Sequence, residues 1–157
     1  MTKRTSSQPV LHLAEPPAGY LGRPPIVVDC SVLSAALFEE EAREAAWRAL
    51  AGKTLHAPGL LDSEIASVAL KKHRAGAPDA MIQSALSRYL EQEIELHRPD
   101  VEGQYALALR FGVSGYDAAY LWLAGFLRAP LATFDSRLAK AARAYLADPG
   151  SPTPTPP

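Results

Sequence analysis

Apolar residues fall in short aliphatic clusters separated by longer amphipathic stretches. Ile26-Val27-Val28 is a β-branched run without polar interruption, the pattern of a strand buried on both faces of a parallel sheet. Helical spacing follows over 31–38 and 40–50. Residues 54–57 predict a second strand, closed by Pro58. A long helix is predicted over 58–74, stopping at Gly76, and Pro78 opens another that runs through Gln92. Ile94-Glu95-Leu96 reads as a third strand. Pro99 begins a helix ending near Gly112, and a very apolar helix spans 116–128. A fourth strand covers 131–134, before a last helix at 136–147. Short strands alternating with helices imply an α/β fold, with a parallel sheet covered by helices on both faces.

The flanks break this pattern. Residues 1–25 are rich in Ser, Pro and Gly and read as a flexible N-terminal arm; 148–157 (DPGSPTPTPP) read as a disordered, proline-rich tail. The folded domain is therefore expected over 26–147. No repeat of solenoid period is present.

Composition narrows the function classes. Apolar content of 48% and charged content of 21% are those of an ordinary globular domain. The formal net charge of -1 gives no global basic field for nucleic acid, so any polyanion site must be local. The single cysteine, Cys30, excludes an internal disulfide framework and fits a reducing cytoplasm; it reads as a small packing residue. No apolar run reaches the roughly 20 residues of a membrane helix, and the stretch from Val10 to Ala14 is too short for a signal peptide.

Candidate chemistry lies in the acids. Asp29 ends the first predicted strand and Asp135 the fourth, where open parallel sheets gather ligands. Asp117 opens the apolar helix. Each of these aspartates also suits a plain helix cap, and Ser114 with Asp117 has capping-box spacing. Glu64 weighs against capping alone. It sits among Leu60, Leu61 and Val68 on the apolar side of its helix, where a carboxylate needs a cation, a donor or a proton. Asp62 lies off that stripe and reads as solvated. A salt bridge to arginine is the simple alternative for Glu64. Two inward acids and two strand-end acids more economically suggest a metal-bound cluster, because four adjacent carboxylates repel unless protonated or metal-bound. Oxygen-only ligands favour Mg²⁺ or Mn²⁺.

These four stretches resemble the PIN-domain family, and within it the VapC-type toxins of bacterial toxin–antitoxin pairs. The resemblance spans about 26–147. It rests on Ile26-Val27-Val28-Asp29-Cys30-Ser31, Leu61-Asp62-Ser63-Glu64-Ile65, Tyr116-Asp117-Ala118-Ala119-Tyr120-Leu121 and Thr133-Phe134-Asp135-Ser136-Arg137-Leu138, the last two being the most specific. It implies a three-layer α/β/α sandwich with a central parallel sheet of four to five strands. It also implies a divalent-metal endoribonuclease leaving a 5′-phosphate and a 3′-hydroxyl, a cognate VapB-like antitoxin and a homodimer. A PIN-like interaction module that no longer cleaves is the alternative. This chain departs from the pattern at Ser67, where many such toxins carry Asn, and in its longer N-terminal arm.

The expected roles follow. Asp29, Glu64, Asp117 and Asp135 hold metal and carry catalysis, with Thr133 and Ser31 hydrogen-bonding the ligands. Lys71, Lys72, Arg74 and Arg137 are candidate RNA contacts, as is Lys140, although cations in a last helical turn also suit the helix dipole. His12, His56, His73 and His97 show no paired metal spacing and read as surface or strand residues. Tyr116, Tyr120 and Trp122 read as core or dimer interface rather than base-stacking platforms.

Overall fold

The protein is described from a computed structural model that covers residues 9–14, 23–38 and 41–148. In chain order the elements are β1 (His12–Ala14), β2 (Pro25–Val28), α1 (Cys30–Leu37), α2 (Arg43–Leu50), β3 (Thr54–Pro58) and α3 (Leu61–Arg74). They continue as α4 (Asp79–Leu90), β4 (Ile94–His97), α5 (Val101–Phe111), α6 (Gly115–Leu127), β5 (Leu131–Thr133) and α7 (Ser136–Leu146).

The five strands form one sheet in the order β1-β5-β2-β3-β4. The pairs β5–β2, β2–β3 and β3–β4 are parallel, as an alternating strand–helix pattern requires. Ile26, Val27 and Val28 are buried, as are Leu131, Ala132 and Thr133, so the unbroken apolar runs mark the middle of the sheet. Helices α6 and α7 pack on one another and on the central strands, with α5 against α6; α1, α2, α3 and α4 form a second packed group. The architecture is the expected three-layer α/β/α sandwich.

The N-terminal arm differs from expectation. His12–Ala14 pairs antiparallel with β5, in the register His12↔Thr133, Leu13↔Ala132 and Ala14↔Leu131. Ala14 is buried, and the His12 imidazole meets the Arg143 guanidinium of α7 at 3.1 Å. A three-residue edge strand leaves no periodicity to read, so it was invisible in the pattern. The remainder of the predicted arm up to residue 22 lies outside the described residues, apart from 9–11. The predicted tail lies outside them too, except Asp148, whose carboxylate meets Arg110 at 2.7 Å.

The topology positions the site. From β2 the chain moves to β3 on one side, while β5 arrives on the other. The carboxyl ends of β2 and β5 thus flank a switch point, the crevice where parallel α/β sheets bind ligands. Backbone bonds from the Val27 N–H to the Pro130 carbonyl (2.8 Å) and from the Asp29 N–H to the Ala132 carbonyl (3.0 Å) carry this ladder to its end.

Candidate active site

Asp29 has the backbone of an N-cap to α1, yet its side chain makes no cap bond to the helix. Instead Ser31 Oγ and Thr133 Oγ1 each donate to Asp29 Oδ2 at 2.7 Å. Both hydroxyls also accept, Ser31 from the Phe134 N–H (3.0 Å) and Thr133 from the Asp135 N–H (2.9 Å). Each hydroxyl proton is therefore aimed at the carboxylate by a backbone donor behind it. Ser31 and Thr133 hold Asp29, and they tie the start of α1 to the end of β5. Asp29 is only 8% exposed. Burial raises its pKa above the ordinary carboxylate value, with a further push from the charge of Asp117. Hydrogen bonds from Thr133, Ser31 and the Cys30 backbone work against that rise.

Glu64 lies in the first turn of α3 and is half-buried. Its partner is a phenol: Tyr120 Oη donates to Glu64 Oε2 at 2.5 Å, a contact across two helices. No arginine bridge to Glu64 is found among the described residues. Burial raises the Glu64 pKa, the Tyr120 bond lowers it, and the charges of Asp29 and Asp117 raise it again. Tyr120, itself buried beside this carboxylate, is held protonated, with its pKa raised mainly by desolvation.

Asp117 opens α6 behind the N-cap Ser114. Ser114 Oγ accepts from the Asp117 N–H (3.0 Å) and donates to Asp117 Oδ2 (2.8 Å). The expected capping box thus closes on one side chain, and the turn fixes where Asp117 points. That turn is braced twice: Gln104 Nε2 donates to the Gly115 carbonyl (2.6 Å), and the Arg137 guanidinium donates to the Gly112 carbonyl. Asp135, exposed, caps α7 by accepting from the Leu138 N–H at 2.8 Å; the capping reading holds for it alone among the two strand-end acids.

The geometry joins Asp29, Glu64 and Asp117 electrostatically, and links Asp135 to Asp29 through Thr133. The acids are not drawn into one tight knot: among the described residues, no three of them bring oxygens within 4.8 Å of one another. The donor set is all carboxylate oxygen, and two of its members, Asp29 and Glu64, are kept from easy ionisation by burial and by neighbouring carboxylates. That fits a hard divalent cation.

Beside Glu64 runs a groove of about 430 Å³ lined by Cys30, Leu60, Ser63, Glu64, Ser67, Val68 and Tyr116. The Ser67 hydroxyl bonds back to the Ser63 carbonyl at 2.8 Å. Tyr116 is 71% exposed, whereas Tyr120 and Trp122 are buried. Of the three residues read as core or dimer interface, Tyr120 and Trp122 are therefore core, while Tyr116 precedes the stretch of α6 that packs. Cys30 is buried but lines the groove. Asp62, read as merely solvated, is exposed yet accepts from Tyr89 Oη at 2.6 Å, tying α4 to α3.

The basic residues sit apart from the acids. Lys71, Lys72 and Arg74 occupy the last turn of α3, about 10–15 Å along the helix from Glu64 at 1.5 Å per residue. Lys72 lies over the Phe38 ring, 5.6 Å from its centroid. Arg137 is engaged with the Gly112 carbonyl, a bracing role the sequence did not reveal.

His56 and His97 are strand residues, as expected, on β3 and β4. His56 on β3 is buried, and its Nδ1 lies 3.0 Å from His97 Nε2 on β4. They are paired in space although unpaired in sequence.

Compared with known families, the chain matches the PIN domain over residues 26–144. The chain belongs to the PIN-domain family. Among curated proteins, this PIN domain is 36% identical over 125 residues to Ribonuclease VapC9 of Mycobacterium tuberculosis, covering 76% of this chain and 92% of that protein. It is 31% identical over 121 residues to Ribonuclease VapC3 of Pyrobaculum aerophilum, covering 73% and 92%. Among solved structures it resembles the crystal structure of PAE2754 from Pyrobaculum aerophilum. The TM-score is 0.57 at 21% identity, covering 81% of this chain and 91% of that one, a likeness of fold. The match begins at the strand ending in Asp29 and closes beyond Asp135, so it spans all four acids.

Proposed function

We propose that this PIN domain is a divalent-metal-dependent endoribonuclease, the toxin of a toxin–antitoxin pair, with Mg²⁺ or Mn²⁺ held by Asp29, Glu64, Asp117 and Asp135. The observation that carries the proposal is the anchoring of Asp29 at the sheet's switch point by Ser31 and Thr133, with Asp135 one hydroxyl away; Glu64 and Asp117 lie near enough for neighbouring charge to help raise the Asp29 and Glu64 pKa values. The VapC ribonucleases it resembles at 31–36% identity supply the reaction class.

When bound, the ion would polarise a phosphoryl oxygen, lower the pKa of a water and neutralise charge on the leaving oxygen. The chain's own residues do the rest. Ser31 and Thr133 fix the Asp29 carboxylate against rotation, and Ser114 does the same for Asp117. Tyr120 holds one oxygen of Glu64, setting its orientation toward the site. Among these carboxylates, Glu64 combines partial exposure with a raised pKa, the properties of a group that takes a proton from an attacking water. RNA would lie along the groove past Ser67 and Tyr116 toward the cations of the last α3 turn, Lys71, Lys72 and Arg74.

The partners in this reading are an RNA substrate, a VapB-like antitoxin and a second copy of the chain. Exposed Val101, Tyr105 and Leu109 form a four-residue-spaced apolar stripe on α5 and support a protein contact there. No helix among the described residues is long and apolar enough to cross a membrane, and a cytoplasmic setting is part of the proposal. Incubating the purified chain with a mixed RNA pool tests the function. EDTA should abolish cleavage and Mn²⁺ or Mg²⁺ restore it; cleavage that persists in EDTA would contradict it.

A further inference from the structure

Away from the acids, three other side chains converge. His56 stands on β3, and Glu95 and His97 on the neighbouring parallel strand β4, where His56 is in register with Glu95. Alternation places Glu95 and His97, two residues apart, on one face of β4. His56 Nδ1 is 3.0 Å from His97 Nε2, and the Glu95 carboxylate straddles the pair, with Oε2 3.6 Å from His56 Nδ1 and Oε1 3.7 Å from His97 Nε2. Their potential ligand atoms all lie within 4.8 Å of one another, the one such set among the described residues.

These separations match a particular coordination shell. Bonds of about 2.0–2.1 Å at tetrahedral angles set ligand atoms roughly 3.3–3.4 Å apart. The His56–His97 separation lies just below that value, and each of the two nitrogens has one Glu95 oxygen just above it. Two imidazoles and a carboxylate also form a borderline-soft donor set that ranks Zn²⁺, Co²⁺, Ni²⁺ and Cu²⁺ far above Mg²⁺. The donor set at the four acids, all oxygen, has the opposite preference.

We propose that His56, Glu95 and His97 form a second metal centre, a three-ligand site for Zn²⁺ or a similar transition-metal ion with water in the fourth position. His56, buried, is the anchor; His97, 17% exposed, and Glu95, 69% exposed, form the rim through which the ion enters. The ion cross-links edge strand β4 to β3. Because the Gly59 N–H donates to the His97 carbonyl at 2.8 Å, it also steadies the turn leading into α3, the helix that carries Glu64. The site shares no residue with the acid cluster and stands whether or not this chain cleaves RNA.

The test uses the full chain carrying Asp29→Asn, which weakens metal binding at the acids, titrated with Co²⁺ and then Zn²⁺. One saturable Co²⁺ should give the intense visible absorption of a tetrahedral site, displaced stoichiometrically by Zn²⁺, and Zn²⁺ should raise the unfolding temperature. Adding His97→Gln at the rim should weaken binding by more than about 100-fold, beyond the loss typical of an outer partner, and remove the thermal shift. Glu95→Gln should weaken binding without altering the metal-free fold. Absent saturable binding in Asp29→Asn, or affinity and spectrum unchanged by His97→Gln, would overturn the proposal and leave the histidines as a simple hydrogen-bonded pair.

Discussion

Thr133 and Asp29 are 104 residues apart in the chain and joined by a 2.7 Å hydrogen bond at the carboxyl ends of adjacent parallel strands. Thr133 is fully buried and passes its other contact to the Asp135 N–H, so one hydroxyl sets the relation between two of the four acids. Thr133→Val keeps the shape and deletes the hydroxyl. It leaves a buried carboxylate oxygen and a backbone N–H short of a partner, a loss of about 1–3 kcal/mol. Urea unfolding should register that loss, and RNA cleavage should fall with it. Thr133→Ser should recover both, and full activity in Thr133→Val would show that the bond does not position Asp29.

Tyr120→Phe removes the phenol that holds Glu64. The cost in stability should be about 0.5–1.5 kcal/mol, that of one hydrogen bond. The Tyr120 bond lowers the Glu64 pKa against its burial, so its loss should raise that pKa further. In a carboxyl-carbon NMR titration of the metal-free chain, the Glu64 transition should move to higher pH in Tyr120→Phe. A shift the other way would contradict the assigned contact.

The metal-free protein should respond to pH in a definite sense. Asp29 and Glu64 have folded-state pKa values raised above their ordinary ones. In the window between the unfolded and folded values, the folded state binds more protons, and stability falls as pH rises. Their stabilising contribution is complete below the ordinary carboxylate value and is lost as pH climbs through the raised one. Mg²⁺ or Mn²⁺ should reverse that loss at neutral pH. Thermal unfolding against pH, with and without Mn²⁺, checks this; an ion that leaves neutral-pH stability unchanged would argue against binding at these acids.

Gly103 lets α5 approach α6. A Cβ there would lie 2.8 Å from both Cδ1 and Nε1 of Trp122, a buried indole stacked on Phe126. Gly103→Ala should destabilise the chain by about 1–3 kcal/mol through overpacking, although alanine is the better helix former. Chemical denaturation would detect this, and a stability gain would show that the seam yields easily.

Much of the architecture was legible because β2 is an unbroken apolar run, the other strands are short and apolar-rich, and the helices are bounded by Pro58, Gly76, Pro78, Pro99 and Gly112. The four acids were legible as candidates because they sit at strand ends and on an apolar helix face. Their partners were partly so: Ser31 and Thr133 lie within two residues of an acid. The Tyr120–Glu64 bond depends on how two helices meet, and the His56–His97 pair on the register of β3 against β4; local spacing encodes neither. Strand β1 is three residues long and owes its existence to the free edge of β5. Arg137 reads from sequence as a candidate phosphate contact because a cation stands beside an acid motif; its bond to the Gly112 carbonyl, which braces the turn before Asp117, depends on tertiary packing and has no local signal.

The central claim is that these carboxylates act together, through bound divalent metal, on one phosphodiester. Its most direct test is the Mn²⁺-dependent cleavage rate of Asp117→Asn, measured beside Mn²⁺ binding and a folded-state spectrum. The account predicts native folding, weakened Mn²⁺ binding and cleavage reduced by at least about 100-fold, more than loss of an outer partner would cause. Native folding with undiminished Mn²⁺-dependent cleavage would contradict it.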